Sequence, residues 1–330
     1  MLISIIQVLP VVPHGSRNDI VGQALTKSPI WSHVHIHHLQ TNMRVQQAAH
    51  TNEATTLQEF ANYLLSVGSG REAVLTGTED RIRLPDNMIL PGDNLLSLID
   101  YTFGDLSTAS LTTAFLMGRA ILTPKNKHVA AINDYVIDRF PGEVHEFASA
   151  DSMEDPEDQI RYQPEFLNSL QPSSLPPHLL RLKIGCPVML LRNLDATRGL
   201  CNGTRLIVRS YRRYVIEAEV ASGSHVGDIA LIPRIRLNAT EDQCPILFTR
   251  TQFPIRLAFS MTINKSQGQT FDKVGLYLPD PPFAHGQLYV AMSRVRTPSS
   301  IRIIIDRETS QIPNQPGYST RNVVYTEVLT

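Results

Sequence analysis

Apolar and polar positions along this chain change their period several times, and each change predicts a different kind of element. Residues 1–12 form the most apolar stretch, broken by Ser4, Gln7 and Pro10. Within it, 3–8 reads as a short buried strand that Pro10 and Pro13 end, because proline offers no N–H to a ladder. Residues 34–39 alternate as a second strand. Over 46–67 the groups Leu57, Phe60, Ala61, Leu64 and Leu65 fall at helical spacing, and Gly68-Ser69-Gly70 stops that helix. The stretch 85–93 is loop-like, while 95–99 and 111–117 read as helical. Residues 120–123 predict a strand, Pro124-Lys125-Asn126 a turn, and Val129, Ile132, Val136 and Ile137 one side of a helix. Strand, turn and helix in that order make the repeating unit of a parallel α/β sheet.

From 182 to 237 the period shortens. Runs of β type at 187–191, 204–209, 214–220 and 228–233 are separated by glycine turns such as Asn202-Gly203 and Ser222-Gly223. Short strands at this spacing predict a small antiparallel barrel inserted into the α/β domain. After Ile246 the first pattern resumes, with a strand at 257–261, a loop entering a helix at 262–269, a strand at 273–278, a helix at 285–293 and a strand at 301–305. Pro172, Pro176 and Pro177 mark a boundary ahead of the barrel.

Bulk properties set the class and leave the partner open. At 330 residues, 42% hydrophobic and 18% charged, the chain suits two or three globular domains and excludes global disorder. Its net charge is −1, but the charge is uneven. Eight cations (181, 183, 192, 198, 205, 209, 212 and 213) follow one another with Asp195 as the only acid between them. Eight acids (143, 146, 151, 154, 155, 157, 158 and 165) surround the single base Arg161. Such a pair of stripes is either two solvated faces or a polarised surface able to seat a phosphate backbone on one side. The stretch 149–163, poor in apolar residues, reads as an acidic surface excursion. Cys186, Cys201 and Cys244 show no C-x-x-C spacing, so neither a disulfide framework nor a zinc site is expected, and a reducing compartment is. His33, His35 and His37 share one face of the strand at 34–39, with His38 beside them, yet no carboxylate or cysteine nearby completes a metal site. The apolar opening lacks a basic flank and a cleavage site and is too short for a bilayer span, so it is neither anchor nor signal peptide.

The chemistry concentrates at the back. Ser260-Met-Thr-Ile-Asn-Lys-Ser-Gln-Gly-Gln-Thr270 carries a strand into a loop of small, polar groups. Loops at the C-terminal edge of an α/β sheet lie where such sheets bind ligands. Gly268 lets backbone approach a ligand closely, and Thr262, Lys265 and Ser266 can meet a phosphate without reading a base. About 20 residues on, Gln287-Leu-Tyr-Val-Ala-Met-Ser-Arg-Val-Arg296 places Arg294 at a helix end, where a guanidinium can face a phosphate. Either segment alone reads as ordinary helix capping; the ordered pair does not.

That pair resembles the fifth and sixth motifs of Pif-type DNA helicases of superfamily one, with the closest likeness to the helicase part of Helitron transposons. Three more stretches agree in order. Gln7-Val-Leu-Pro-Val-Val-Pro-His-Gly-Ser-Arg17 resembles the third motif, and Leu39-Gln-Thr-Asn-Met-Arg44 the fourth. Leu175-Pro-Pro-His178, Gly185 to Asp195 and Gly199 to Leu206 resemble the inserted 2B module, a Src-homology-like β-barrel. The tail Asn322-Val-Val-Tyr325 extends the likeness over nearly the whole chain.

The resemblance implies a P-loop NTPase fold: a RecA-like second motor domain (2A) with an inserted 2B barrel, preceded by a remnant of the first motor domain (1A). The expected division is 1–80 for 1A, 81–165 and 245–330 for the two parts of 2A, and 166–244 for 2B. It implies nucleotide-sensing or catalytic roles for Gln7, Arg44 and Arg294, with Gly268 and Gln269 at the nucleotide or its neighbourhood. Thr262, Lys265, Ser266 and Gln267 line a single-stranded DNA path, and Arg192, Asn193 and Arg198 of the basic module are further DNA contacts. The implied activity is ATP-dependent 5′-to-3′ unwinding in repair, recombination or telomere maintenance, by a nuclear monomer using ATP and Mg²⁺ on single-stranded and duplex DNA; the cytoplasm is the alternative compartment.

Two departures qualify this. No G-x-x-x-x-G-K-[ST] occurs, and no apolar strand ends in Asp-Glu, so the loop that wraps ATP's phosphates and the carboxylates that hold Mg²⁺ are missing from this sequence. Where the family's third motif begins with Gly-Asp, this chain reads Met1-Leu-Ile-Ser-Ile-Ile6, so its start is expected to be a cut edge. The alternative expectation is a truncated, non-catalytic single-strand-binding remnant of a Helitron helicase.

Overall fold

The computed structural model describes residues 6–10, 12, 15–35, 54–92, 94–107, 111–153, 155, 157, 161–241, 244–306 and 317–329. The chain divides into two compact units. The first comprises Met1–Thr102, Ile121–Lys125 and Thr262–Thr330; the second comprises Phe103–Ala120 and Asn126–Met261. Within the second unit, one side chain ties the helical part to the segment that follows the barrel strands. There the side chain of Asn133 donates to the carbonyls of Leu257 (3.2 Å) and Ser260 (3.1 Å) and accepts from the N–H of Ser260 at 2.8 Å. The helix expected to belong with 2A is thereby bound to the segment that leaves the barrel.

Along the chain, α1 (Arg17–Gly22) is closed by a capping box between Ser16 and Asp19, and α2 (Ala54–Gly68) follows. Strand β1 (Arg81–Arg83) precedes α3 (Leu95–Phe103) and α4 (Thr113–Met117), whose Thr112 cap accepts from the N–H of Phe115. Then come β2 (Arg119–Thr123) and α5 (Asn126–Arg139), which buries Val129, Ile132, Val136 and Ile137, the side its 3.6-residue period selects. Strands β3 (His145–Ala148) and β4 (Ala150–Ser152), α6 (Pro164–Ser169), and β5 (Leu179–Leu182) lead into the barrel region. That region holds β6 (Pro187–Leu190), β7 (Arg205–Tyr211), β8 (Val215–Val220), β9 (Ile229–Pro233), β10 (Ile235–Asn238), β11 (Thr249–Gln252) and β12 (Ile255–Leu257). The chain closes with β13 (Ser260–Thr262), β14 (Lys273–Leu278), α7 (Gln287–Met292), β15 (Ile301–Ile305) and β16 (Ser319–Arg321).

The first unit contains β14 and β15, which run parallel from Val274↔Ile301 to Leu278↔Ile305 in the sheet ordered β13-β2-β14-β15. Its last strands are largely buried, which is why Ile301–Ile305 is apolar apart from the half-buried Arg302. The tail returns as β16 beside β1, antiparallel. The second unit holds the antiparallel sheet β12-β6-β7-β8-β9, whose β6 to β9 form a meander, together with β10-β11-β4 and β3-β5.

Three sequence expectations are corrected. Of the strand expected at 3–8, residues 3–5 lie outside the described residues and 6–8 form a half-buried turn; of that expected at 34–39 only Val34 and His35 are described, without a ladder. The single strand expected at 257–261 is two: Ala258 donates to the carbonyl of Pro187, and the Phe259 ring packs on Phe103 and Phe140 at 5.9 and 5.3 Å, turning the chain between sheets. No α-helix follows 262; a 3₁₀ turn at Ile263–Ser266 leads directly toward β14.

Several members of the two charge stripes are paired within the fold, although most of the described acids stay exposed. Lys183 donates to the carbonyls of Asp138 and Phe140, Arg181 pairs with Asp138 and Glu146, and Arg209 pairs with Glu219. Arg205 is 2% exposed, and its guanidinium donates to the carbonyls of Leu116, Met117, Arg119 and Ala258. Burial pushes Arg205 down to about 10, so it still carries its charge at neutral pH. In the acidic stretch, Asp151 is no solvated loop residue. Its carboxylate accepts from Arg250 Nε at 3.0 Å and Nη2 at 2.6 Å with both side chains at 0% exposure, and Ser149 adds a third donor at 2.7 Å. Arg250 also reaches the carbonyls of Leu167, Leu170 and Pro176, tying α6 and the proline segment to β11. A cluster of Met153, Leu167, Leu175, Leu237, Ala239, Cys244 and Phe248 packs in the same unit.

Asp151→Ala is expected to destabilise the chain by about 3 kcal/mol or more in urea unfolding, because it strands a buried guanidinium. Asp138→Ala, which opens the exposed pair with Arg181, is expected to cost less than about 1 kcal/mol.

Candidate functional site

The loop after β13 holds its own shape. Thr262 is 9% exposed at its start, and Ser266 is fully buried with its hydroxyl donating to the Ile263 carbonyl at 2.6 Å. The Ser266 hydroxyl is therefore an internal brace, which narrows the phosphate-facing candidates to its neighbours. The N–H of Gln269 donates to the Ser266 carbonyl at 3.0 Å, and its carboxamide donates to the Lys265 carbonyl at 3.2 Å. Gly268 has φ +81°, and a Cβ built there would meet nothing within 4 Å. The loop thus shows bare backbone at its tip, as a ligand-facing turn requires.

Helix α7 fixes this loop from beside it. Arg294 is 7% exposed and folded back onto its own unit. Its Nε donates to the Val290 carbonyl at 2.8 Å, Nη1 to the carbonyls of Gln269 (3.0 Å) and Ser266 (3.5 Å), and Nη2 to Ser293 Oγ at 2.8 Å. Its own carbonyl accepts from Phe271 N–H at 2.8 Å. Gln287, 1% exposed, donates from Nε2 to Asn264 Oδ1 at 3.0 Å and accepts at Oε1 from the N–H groups of Phe283 (3.0 Å) and Ala284 (3.4 Å).

The start of α7 carries residues 6–7. Gly286 has φ +68°, and a Cβ there would lie 2.5 Å from the Ile6 carbonyl oxygen and 2.9 Å from the Gln7 carbonyl carbon. With that approach allowed, Gln7 Oε1 accepts from Gln267 Nε2 at 2.8 Å. The tail closes the same place. Gly286 N–H donates to the Val323 carbonyl, Asn322 donates to the Val67 carbonyl at the end of α2, and Tyr325 N–H donates to His285 Nδ1 at 2.8 Å. That bond requires His285 Nδ1 to be unprotonated, and the ring stacks on Tyr325 at 5.5 Å. Arg17 lies over the Tyr325 ring and pairs with Glu327, which raises the arginine and lowers the carboxyl from their ordinary values. At the ends of β2 and β14, Lys125 pairs with Asp280 at 2.9 Å.

Of the residues selected from sequence, Gln7, Thr262, Lys265, Ser266, Gln267, Gly268, Gln269 and Arg294 all lie in the first unit around this loop. Arg44 lies outside the described residues, as do His37 and His38. Arg192, Asn193 and Arg198 lie in the second unit, where each is engaged locally: Arg192 with the Leu191 carbonyl, Asn193 with the Asn202 N–H, and Arg198 with the Ile229 carbonyl. Sequence reasoning passed over Asn264, Gln287, His285 and Tyr325. A signal existed for Gln287, the one polar residue in the run Gln287-Leu-Tyr-Val-Ala-Met292 that the helix buries.

Two family profiles match the sequence: one described as "PIF1-like helicase" over residues 4–77, and one as "DNA helicase Pif1, 2B domain" over 165–211. The chain is similar to the human "ATP-dependent DNA helicase PIF1", 36% identical over 179 residues, which is 53% of this chain and 25% of that protein. A second relative, "ATP-dependent DNA helicase Pif1" of Bdellovibrio bacteriovorus, is 33% identical over 138 residues, 42% of this chain and 30% of that one. The chain thus spans about a quarter of the curated relatives it matches. Among solved structures, Pif1 helicase from Candida albicans superimposes with a TM-score of 0.56 at 21% identity, covering 98% of this chain and 65% of that one. Pif1 helicase from Bacteroides in complex with ADP-AlF3 and ssDNA gives 0.55 at 23%, covering 90% and 60%. At that identity the likeness is one of fold: a RecA-like motor domain with a 2B module, the class expected from sequence.

Two glycines with nearly the same φ separate backbone strain from contact. Gly268→Ala is expected to cost about 1 kcal/mol in chemical unfolding, from the left-handed backbone alone. Gly286→Ala adds a collision with residues 6–7 and is expected to cost about 3 kcal/mol or more.

Proposed function

We propose that this chain, similar in sequence and fold to Pif1-like helicases, supplies part of an ATP-dependent DNA helicase, with the loop 262–270 against single-stranded DNA and with Gln7 and Arg294 serving the nucleotide side. The observation that carries this reading is the hydrogen bond from Gln267 to Gln7, which joins the loop expected to meet DNA to the segment expected to sense nucleotide. ATP hydrolysis would supply the free energy of movement, and this chain's residues would transmit it. Gln7 can exchange its bond to Gln267 for one to a phosphate-bound group, altering the loop at the same time. The Arg294 guanidinium can stabilise charge developing on a phosphoryl group, but only by leaving the carbonyls of Ser266 and Gln269. Recruiting the arginine therefore also frees the loop. Lys265 and the bare backbone at Gly268 would position phosphates of the strand without reading bases.

Among the described residues no three His, Cys, Asp or Glu side chains converge on a point that could hold a metal ion. The family's phosphate-wrapping loop is likewise missing from the sequence. On this reading the chain alone does not turn over ATP, and a second role, as a non-catalytic single-strand-binding remnant of the Helitron branch, fits the same groups. The internal engagement of Arg294 favours that second role for the chain by itself. The 5′-to-3′ direction, nuclear location, monomeric state and duties in repair, recombination or telomere maintenance belong to the proposal through the resemblance alone.

The purified chain is expected to bind fluorescent oligo-dT with an affinity that falls as salt rises, with a log–log slope steeper than about −1.4, corresponding to two or more phosphate contacts. Lys265→Ala is expected to reduce that slope by about 0.7. DNA-stimulated ATP hydrolysis is expected to stay at background. Salt-independent binding would remove the single-strand reading, and sustained ATP turnover would remove the proposed division of the site.

A further inference from the structure

The loop 263–269 is held at two points by one helix, and only one of them involves a residue with a nucleotide role in the reading above. At its exit, Arg294 donates to Ser266 and Gln269. At its entry, Asn264 receives a hydrogen bond from Gln287, and nothing in the proposed chemistry accounts for that contact. Gln287 is buried to 1% exposure, so its carboxamide carries the full cost of any bond left unmade. It meets that cost by spanning three pieces of chain. Its oxygen caps the N–H groups of Phe283 and Ala284 ahead of α7, its side chain leaves the first residue of α7, and its nitrogen crosses to Asn264. With its oxygen fixed by two main-chain donors, the amide has a single orientation, and Nε2 can only point where it does.

The acceptor sits where a small shift has the largest effect. Asn264 lies in the 3₁₀ turn Ile263–Ser266, and its carbonyl accepts from the N–H of Gln267 at 3.3 Å. Moving Asn264 therefore moves the donor that reaches Gln7, and with it Lys265 and the Gly268 tip. We propose that Gln287 is a positioning residue for the single-strand path: through Asn264 it sets the entry of the loop relative to α7, so that displacements of α7 are passed to Lys265 and Gln267. This rests on the reading of 262–270 as the DNA-facing loop, but the positioning itself can be measured without DNA.

Asn264→Ala removes the cross-contact while leaving the caps on Phe283 and Ala284 intact. Gln287→Met removes both, and Gln287→Glu keeps both, because Asn264 can turn its amide to donate. In amide hydrogen exchange on the full chain, Asn264→Ala is expected to speed exchange at Gln267 and Gln269 by about tenfold, with Leu276 and Ile303 unchanged. Oligo-dT affinity is expected to fall in parallel by about five- to tenfold at low salt, to be restored to within about twofold in Gln287→Glu, and to be no worse in the double variant Asn264→Ala/Gln287→Met than in Gln287→Met. Unchanged exchange at Gln267 in Asn264→Ala, additive losses in the double variant, or a Gln287→Glu protein as impaired as Gln287→Met would each overturn the proposal. If the unaltered chain binds no oligo-dT, the DNA-facing reading fails, and the exchange pattern by itself still decides whether Gln287 positions the loop.

Discussion

Guanidinium groups engaged by several main-chain carbonyls at once tie together segments of this molecule that lie far apart in sequence. A buried cation cannot be left short of acceptors, and a planar fork with five N–H donors needs several at once. Arg205 finds four carbonyls where the chain enters β2 and β13, and Arg250 finds three carbonyls and a carboxylate. Arg294 finds three carbonyls and a serine hydroxyl. Each forces segments far apart in sequence to present oxygens to one point, so irregular connections become as fixed as the sheets. Apolar burial supplies the bulk of the cohesion, but it is non-directional and would not choose among nearby arrangements of these loops.

The same device defines the candidate site. The loop 262–270 buries one apolar side chain, Ile263, and the rest of its order comes from Arg294 at one end, Gln287 at the other and Ser266 within. Such a loop is rigid while its partners stay in place and is released when one of them is called elsewhere. That combination suits a segment meant to respond to a distant ligand, since the response needs only the exchange of one hydrogen-bond partner for another.

Much of the framework was legible in the chain. The strands at 187–190, 205–211, 215–220 and 229–233, the helix at 126–139 and the parallel pair 273–278 and 301–305 follow from period and turn residues. What escaped was decided by partners distant in sequence. Charge counting could not separate Asp151, matched to Arg250 nearly 100 residues on, from the solvated acids around it. Nor could it separate Arg205, walled in by carbonyls, from exposed Arg198. Phe259 reads as mid-strand in any local window, yet its ring turns the chain between two sheets. In the site, motif matching located the loop and the arginine, but not the carbonyls and hydroxyl that hold Arg294. It also passed over the amides Asn264 and Gln287, whose roles exist only in their pairing.

The interleaving of the two units has a consequence for synthesis. All of the second unit lies within residues 103–261, and its β6-to-β9 meander joins neighbours through short turns, so its structure can form as soon as that stretch leaves the ribosome. The first unit cannot do the same. Its strand β2 is made before the second unit is complete, but β14, β15 and the segment that clasps Gly286 and β1 are made after it. In that interval the nascent chain carries one finished unit and one unfinished unit, with the apolar face of β2 waiting for strands not yet made. A mutation that slows synthesis of 262–325 would expose that face for longer, and its harm would be greatest during manufacture rather than in the completed protein.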